Sequence, residues 1–241
     1  MEKRQLLMDT ASCAIYASDD AGLEIVVRKN TIEDPADGRT EEVADKAEVC
    51  NRMSAHLFRI LESRGLHTAF REEVTDTESL FRKAELIPIL VTVHNYSAGS
   101  YPARTGLPEG TALASPSMDF HYLNRSLGNP MINGYDALAM KLVSESAVET
   151  IVKTAFRVNE VLSAYFRDLK MDLIDIEIRF GRIKEELVLT GDLSPDSMRL
   201  WDSVTHEKLD RDRFRKNLGN VRDAYLEVYR RLGIGGSVCM Q

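Results

Sequence analysis

The chain has 241 residues, 44% of them hydrophobic and 29% charged, with a formal net charge of -7. That apolar fraction over this length supports a sizeable core, in one large domain or two lobes, and excludes a disordered chain. The acidic balance argues against a nucleic-acid partner, which needs a basic face, but it permits a local basic pocket for a single phosphate.

Met1 to Gln5 leads into a short apolar run broken by Asp9, with no signal-peptide core, and no window approaches a membrane span. Cys13, Cys50 and Cys239 are odd in number, widely spaced and without a Cys-x-x-Cys pair. They suggest neither a zinc site nor a disulfide framework, and a soluble, cytoplasmic protein with no membrane partner is expected.

Ala14 to Tyr16 and Leu23 to Val27 flank the turn-rich Asp19 to Gly22 and predict an antiparallel hairpin. Asn30 to Ala44, polar and holding Pro35 and Gly38, reads as a loop. Met53, Leu57, Ile60 and Leu61 lie at helical spacing within a predicted helix from Val49 to Arg64, stopped by Gly65. Leu86 to Val93 reads as a strand, and Tyr96 to Pro130, rich in Gly, Pro and Ser, as a long irregular excursion. Val148, Ile151, Ala155, Val158, Leu162 and Phe166 predict an amphipathic helix between Ser144, its N-cap, and Leu169. From Leu173 to Phe180 the residues alternate, with Ile174, Ile176, Ile178 and Phe180 on one face and Asp175, Glu177 and Arg179 on the other. Leu187 to Leu189 returns beside this strand, and Asp212 to Leu232 reads as one closing helix.

Three segments carry chemistry: Ser97-Ala98-Gly99-Ser100, Asn129 to Asn133, and Ser194 to Asp202 followed by Lys208 to Arg215. Together they resemble SAICAR synthases, which use ATP to join aspartate to a carboxylated aminoimidazole ribonucleotide; the resemblance runs from about residue 6 to Gly233. It implies an α/β two-lobe fold. An N-terminal antiparallel sheet lobe (1–90), the ATP-binding lobe of the family, precedes a larger α+β ribonucleotide-binding lobe with closing helices (91–241), with a cleft between. It also implies that Ser100 and Arg199 bind the ribonucleotide 5'-phosphate and that Asp196 holds the sugar, with Lys208 and Arg215 among the substrate contacts. A Gly-Ser turn, a guanidinium fork and a carboxylate suit those tasks. Without the resemblance, Ser194-Pro195-Asp196 is a turn or cap and Arg199 a surface ion pair.

Where the family carries a Gly-Lys-x-Lys segment for ATP phosphates, this chain has Thr10, Ala11 and Cys13. Family Glu and Arg positions on the strand before the Ala-Gly-Ser turn read Leu90 and His94, and a family lysine reads Leu123. The magnesium-holding glutamate aligns with Arg179 and the next metal aspartate with Gly191, although Asp192 is adjacent. With those counter-charges replaced, the sequence predicts no cofactor and an ATP-independent step on a purine-like or aminoimidazole ribonucleotide 5'-phosphate. Proton transfer or ring rearrangement is expected, and the resemblance, through SAICAR synthase homologues of nucleoside-antibiotic pathways, implies by analogy a coformycin- or pentostatin-like setting. His94 with Asp175 or Glu177 forms the candidate acid/base group, and Arg179 a candidate for fixing a substrate carboxylate or Asp192. A strand-end histidine is more often structural, and alternating charges more often line a solvated face. The alternative is an orthodox SAICAR synthase using ATP and Mg²⁺, with Lys3, Arg4, Lys29 or Lys46 replacing the lost lysines. A second alternative is an inactive nucleotide-binding paralogue. The resemblance also implies a possible homodimer.

Overall fold

A computed structural model describes residues 1–34 and 36–234; Pro35 of the expected loop and Cys239 lie outside them. In chain order the strands and helices are β1 (Lys3–Asp9), β2 (Cys13–Ser18), β3 (Leu23–Arg28), β4 (Thr31–Glu33), β5 (Thr40–Glu42), α1 (Lys46–Ser63), β6 (Phe70–Thr75), β7 (Glu78–Arg82) and β8 (Glu85–Tyr96). There follow α2 (Tyr101–Thr105), β9 (Ala112–Tyr122), β10 (Met131–Ile132), α3 (Gly134–Ala139), α4 (Glu145–Asp168), β11 (Met171–Ile183), β12 (Glu186–Thr190), β13 (Met198–Asp202), α5 (Asp212–Arg215) and α6 (Val221–Arg231). No helix among the described residues is long and apolar enough to cross a membrane.

Contacts divide the chain into two units, the first holding Met1–Ile60, Phe70–Lys83 and the described residues from Leu193 on, the second Leu61–Ala69 and Ala84–Asp192. In place of the single boundary expected at residue 90, each unit draws on separate stretches of the sequence, the chain returning to the first after β12.

The first unit is built on an antiparallel sheet of order β1-β2-β3-β7-β6. The predicted hairpin is β2 and β3, with Tyr16 opposite Ile25. Val49, Met53 and Leu57, spaced by one helical turn, are buried along α1. Phe58 of α1 stacks on Phe70 with ring centres 5.6 Å apart, and Phe81 meets both edge-on. Such triads add directional contacts to the burial of large rings. The expected loop after Asn30 instead holds the short pair β4 and β5, joined from Thr31–Glu42 to Glu33–Thr40. The expected single closing helix is two, because Asn217, Gly219 and Asn220 all adopt positive φ, where a right-handed helix cannot continue.

The second unit carries the antiparallel order β10-β9-β8-β11-β12. Val93 lies opposite Ile176, and Val91 opposite both Ile178 and Phe120, so these apolar residues share one face. They are buried, as are Ile151, Ala155, Val158, Leu162 and Phe166 of α4, which packs on β8 and β11. Ser144 caps α4 as expected, its Oγ accepting the Ala147 N–H. The excursion read as irregular contains the eleven-residue β9. Its Pro and Ser content hides it, and the ladder to β8 shifts register between His94 and Tyr96, the bulge that accommodates Pro116.

Candidate active site

In the first unit, the turn Ser194-Pro195-Asp196-Ser197 closes with Ser197 N–H donating to the Ser194 carbonyl at 2.9 Å. It delivers Asp196 to a buried cation: Lys46 Nζ lies 2.5 Å from Asp196 Oδ2, with the lysine side chain 1% exposed. Tyr225 donates its hydroxyl to Asp196 Oδ1 at 2.7 Å. Burial would raise the Asp196 pKa, but the charges of Lys46 and Arg211 hold it below the usual value. Lys46 and Tyr225 reach different oxygens of this carboxylate, an acceptor-only group of the kind that suits hydroxyls of a sugar.

Two residues beyond this turn, β13 presents Arg199, whose Nε donates to Asp212 Oδ2 at 3.0 Å. Arg215, one turn along α5, donates to the other oxygen of the same carboxylate, also at 3.0 Å. Two sequence-predicted cations are thus gathered by an aspartate that sequence reasoning missed, although Asp212-x-x-Arg215 is helical spacing for an ion pair. Burial opposes the charge on Asp212, yet Arg199 and Arg215 lower its pKa to about 2. Neighbouring Asp210 accepts the backbone N–H groups of Leu200 and Asp212, and burial beside the Asp212 charge pushes it up to about 7. Lys208 lies with its ammonium 4.0 Å from the centre of the Trp201 ring, a cation–π contact.

The second unit places Ser100, His94, Asp175, Glu177 and Arg179. Ser100 is exposed at the start of α2 and its side chain makes no capping bond. On the sheet face away from α4, cross-strand rows read Ser117, His94, Asp175, then Asp119, Thr92, Glu177, then His121, Leu90, Arg179. Residues in register, or two apart along a strand, point to the same side, so this face is polar. The acid/base grouping differs from the expected one. His94 Nε2 is 2.8 Å from Asp119 Oδ2, and Nδ1 is 3.6 Å from Asp175 Oδ2. Glu177 falls one row away, opposite Thr92. Asp175, expected to project from the strand's polar face, is buried at 1% exposure. Asp119 is hidden in the sequence by the Pro- and Ser-containing run of β9, where the Asp119, His121 alternation is its signal. Arg104 donates to the same Asp119 oxygen. Arg179 is exposed, and its stem lies against Gly191.

Three of the cations weighed as substitutes for the missing lysines are engaged. Lys46 is on Asp196, and Lys3 pairs with Glu78 at 2.5 Å. Lys29 contacts Asp9 and donates to the Thr10 carbonyl at 2.9 Å, beside the turn between β1 and β2.

Arginines gathered on a buried carboxylate in the first unit, and a polar sheet face in the second, are set in a mixed α/β fold of antiparallel sheets and helices. More narrowly, the chain belongs to the SAICAR synthetase family, a family of enzymes, whose description matches residues 12–232. It is 40% identical over 234 residues to the phosphoribosylaminoimidazole-succinocarboxamide synthase of Lachnoclostridium phytofermentans, across 97% of this chain and 100% of that one. The crystal structure of the synthase of that name from Ehrlichia chaffeensis superposes with a TM-score of 0.94 at 29% identity, covering 97% of this chain and 100% of the other. A SAICAR synthetase solved in complex with ADP superposes with a TM-score of 0.92 at 31% identity, covering 95% and 98%. The mixed α/β fold of antiparallel sheets and helices is therefore that of the family.

The family implies Mg²⁺, a hard cation that takes oxygen ligands. At the two aligned positions this chain offers Arg179 and Gly191, and a Cβ at Gly191 would sit 3.2 Å from Arg179 Cδ and 3.3 Å from its Cβ. Among the described residues no group of three or more His, Cys, Asp or Glu is arranged to hold a metal ion. These residues do not fit the ion.

Proposed function

We propose that this chain is an enzyme acting on a ribonucleotide 5'-monophosphate with an aminoimidazole or purine-like base. The observation that carries the reading is the pair Arg199 and Arg215 held on Asp212. A carboxylate that fixes two guanidinium groups pre-organises them, and planar N–H forks match phosphate oxygens. Asp196, held ionised by Lys46 and Arg211, accepts from the ribose hydroxyls. The polar sheet face carrying His94, Asp175 and Asp119 is the second unit's candidate for acid/base chemistry.

The names of the relatives support the SAICAR synthase reaction as the first reading, joining aspartate to carboxyaminoimidazole ribonucleotide with ATP in purine biosynthesis. The position of Lys29 beside the β1–β2 turn supplies a cation near the replaced lysines. A second reading is favoured by the packing of Arg179 over Gly191, which puts a cation where metal carboxylates are expected. In it the enzyme takes the same ribonucleotide through an ATP-independent proton-transfer or ring-rearrangement step of specialised nucleoside synthesis.

Incubating the protein with carboxyaminoimidazole ribonucleotide and aspartate, with and without Mg·ATP, separates the two. ADP and a succinocarboxamide product support the first reading. Ribonucleotide consumption that ignores ATP supports the second, and absence of both binding and turnover removes the whole proposal.

A further inference from the structure

The helix that carries Asp212 and Arg215 is too short to hold its own position. α5 has four residues, its N-cap Arg211 makes no side-chain capping bond, and Asn217 just beyond it sits at φ 52°. A single turn supplies too few backbone bonds to offset the ordering of its residues, so tertiary contacts must place it. One is the burial of Phe214, 3% exposed. Others come from Arg39, which lies between β4 and β5, far earlier in the chain but in the same unit. Its Nη2 donates to the Phe214 carbonyl at 3.1 Å and to the Arg215 carbonyl at 3.3 Å, and its Nη1 donates to Asn217 Oδ1. The guanidinium carbon also lies 4.4 Å from the centre of the Phe214 ring. Carbonyls in the last turn of a helix lack a donor within it, and a guanidinium meets several at once because its N–H groups are fixed in one plane.

The hairpin holds Arg39 in turn. Ile32 and Val43 are buried, the Arg39 carbonyl accepts the Asp34 N–H at 2.9 Å, and the Arg39 N–H donates to Asp37 Oδ1 at 2.9 Å. The Asp34 and Asp37 carboxylates stand 4.0 and 3.7 Å from the guanidinium. Beyond β5, Asp45 accepts Arg222 of α6, from Nε at 2.9 Å and from Nη2 at 2.5 Å. The same stretch of chain therefore grips both sides of the α5–α6 connection.

We propose that Arg39 is a positioning residue for the phosphate site: by gripping the Arg215 carbonyl and the end of α5, it fixes where the Arg215 guanidinium stands. The proposal rests on the reading that Arg199 and Arg215 take a ribonucleotide phosphate. Arg39 directs these donors at protein oxygens, so its effect on binding passes through Arg215.

A double-mutant cycle separates this role from a general effect on stability. Calorimetry at pH 7 measures carboxyaminoimidazole ribonucleotide binding to the wild type, R39A, R215A and the double variant. R215A should bind about tenfold more weakly, the loss of a charge-assisted contact, and R39A about threefold to tenfold more weakly. The double variant should bind no more weakly than R215A, because the group that Arg39 places is already gone. R39K should resemble R39A, since an ammonium keeps the charge but not the planar fork that spans three oxygens. If melts show that R39A fails to fold, R39K completes the same cycle. Losses that multiply in the double variant, or wild-type affinity in R39A or R39K, overturn the proposal. Hydrogen exchange of the full chain needs no ligand: amides of residues 213–218 should exchange faster in R39A, while those of β2 and β3 stay unchanged. Equal exchange at 213–218 overturns the proposal as well. Faster exchange there, in a protein whose wild type binds no ribonucleotide, instead overturns the functional reading and leaves the brace on α5 standing.

Discussion

Replacing Asp212 by Asn tests whether the two arginines depend on their shared anchor. The carboxyl is displaced from 3.8 to about 2 in the fold, with its side chain 2% exposed. At about 1.36 kcal/mol for each factor of ten in ionisation, that displacement corresponds to about 2.4 kcal/mol of native-state stability at neutral pH. The sign follows from a folded pKa below the unfolded one. The contribution is complete above about pH 4 and is lost as pH falls through about 2, because the unfolded chain then binds the proton less reluctantly than the native state. Asn keeps the shape and one acceptor but no charge, so urea denaturation at pH 7 should show D212N less stable by about 2 kcal/mol with an unchanged m-value. The gap should narrow toward pH 3. Because both guanidinium groups lose their common anchor, affinity for carboxyaminoimidazole ribonucleotide should fall as well. A loss below about 0.5 kcal/mol, the range of ordinary surface substitutions, or a gap that does not change with pH, would refute the reasoning.

Lys46→Met removes the ion-pair partner of a buried carboxylate and leaves Asp196 with only the Arg211 charge and the Tyr225 hydroxyl, which should cost up to about 3–5 kcal/mol in chemical denaturation, and wild-type stability in the variant would contradict the pairing. Gly191→Ala places a side chain at φ +90°, against the Arg179 stem, and should lower stability by about 1–3 kcal/mol in the same assay, whereas a neutral outcome would mean that the turn relaxes freely. His94, with its pKa raised, contributes stability that is fully present below its unfolded value of about 6.5 and is lost as pH rises through the folded value. Wild-type stability should therefore decline from pH 6 to 9 relative to His94→Gln, and parallel pH profiles would count against the charged imidazole.

Elements with a clean period were legible in the sequence. The β2–β3 hairpin, α4 with its Ser144 cap, and the alternation of β11 all follow from local spacing. What escaped was set by partners distant in the chain. β9 has little β-branched content and a proline, and it is a strand because β8 pairs along it. The split between α5 and α6 follows from positive φ at Asn217 and Asn220, and asparagine marks such positions less plainly than glycine. At the candidate site, the residues carried over from the family were identifiable singly. Their organisers were not: Asp212, Asp119 and Lys46 act through buried pairings 13, 25 and 150 residues away in sequence, with Arg199, His94 and Asp196.

The central claim is that the arginine pair on Asp212 takes the phosphate of a ribonucleotide. Isothermal titration of carboxyaminoimidazole ribonucleotide into the wild type and into Arg199→Ala, without ATP or Mg²⁺, measures it most directly. The account predicts binding by the wild type and a loss exceeding about 1.5 kcal/mol in the variant, as expected for a charge-assisted contact. Equal affinity of the two proteins, or no binding by the wild type, would contradict it.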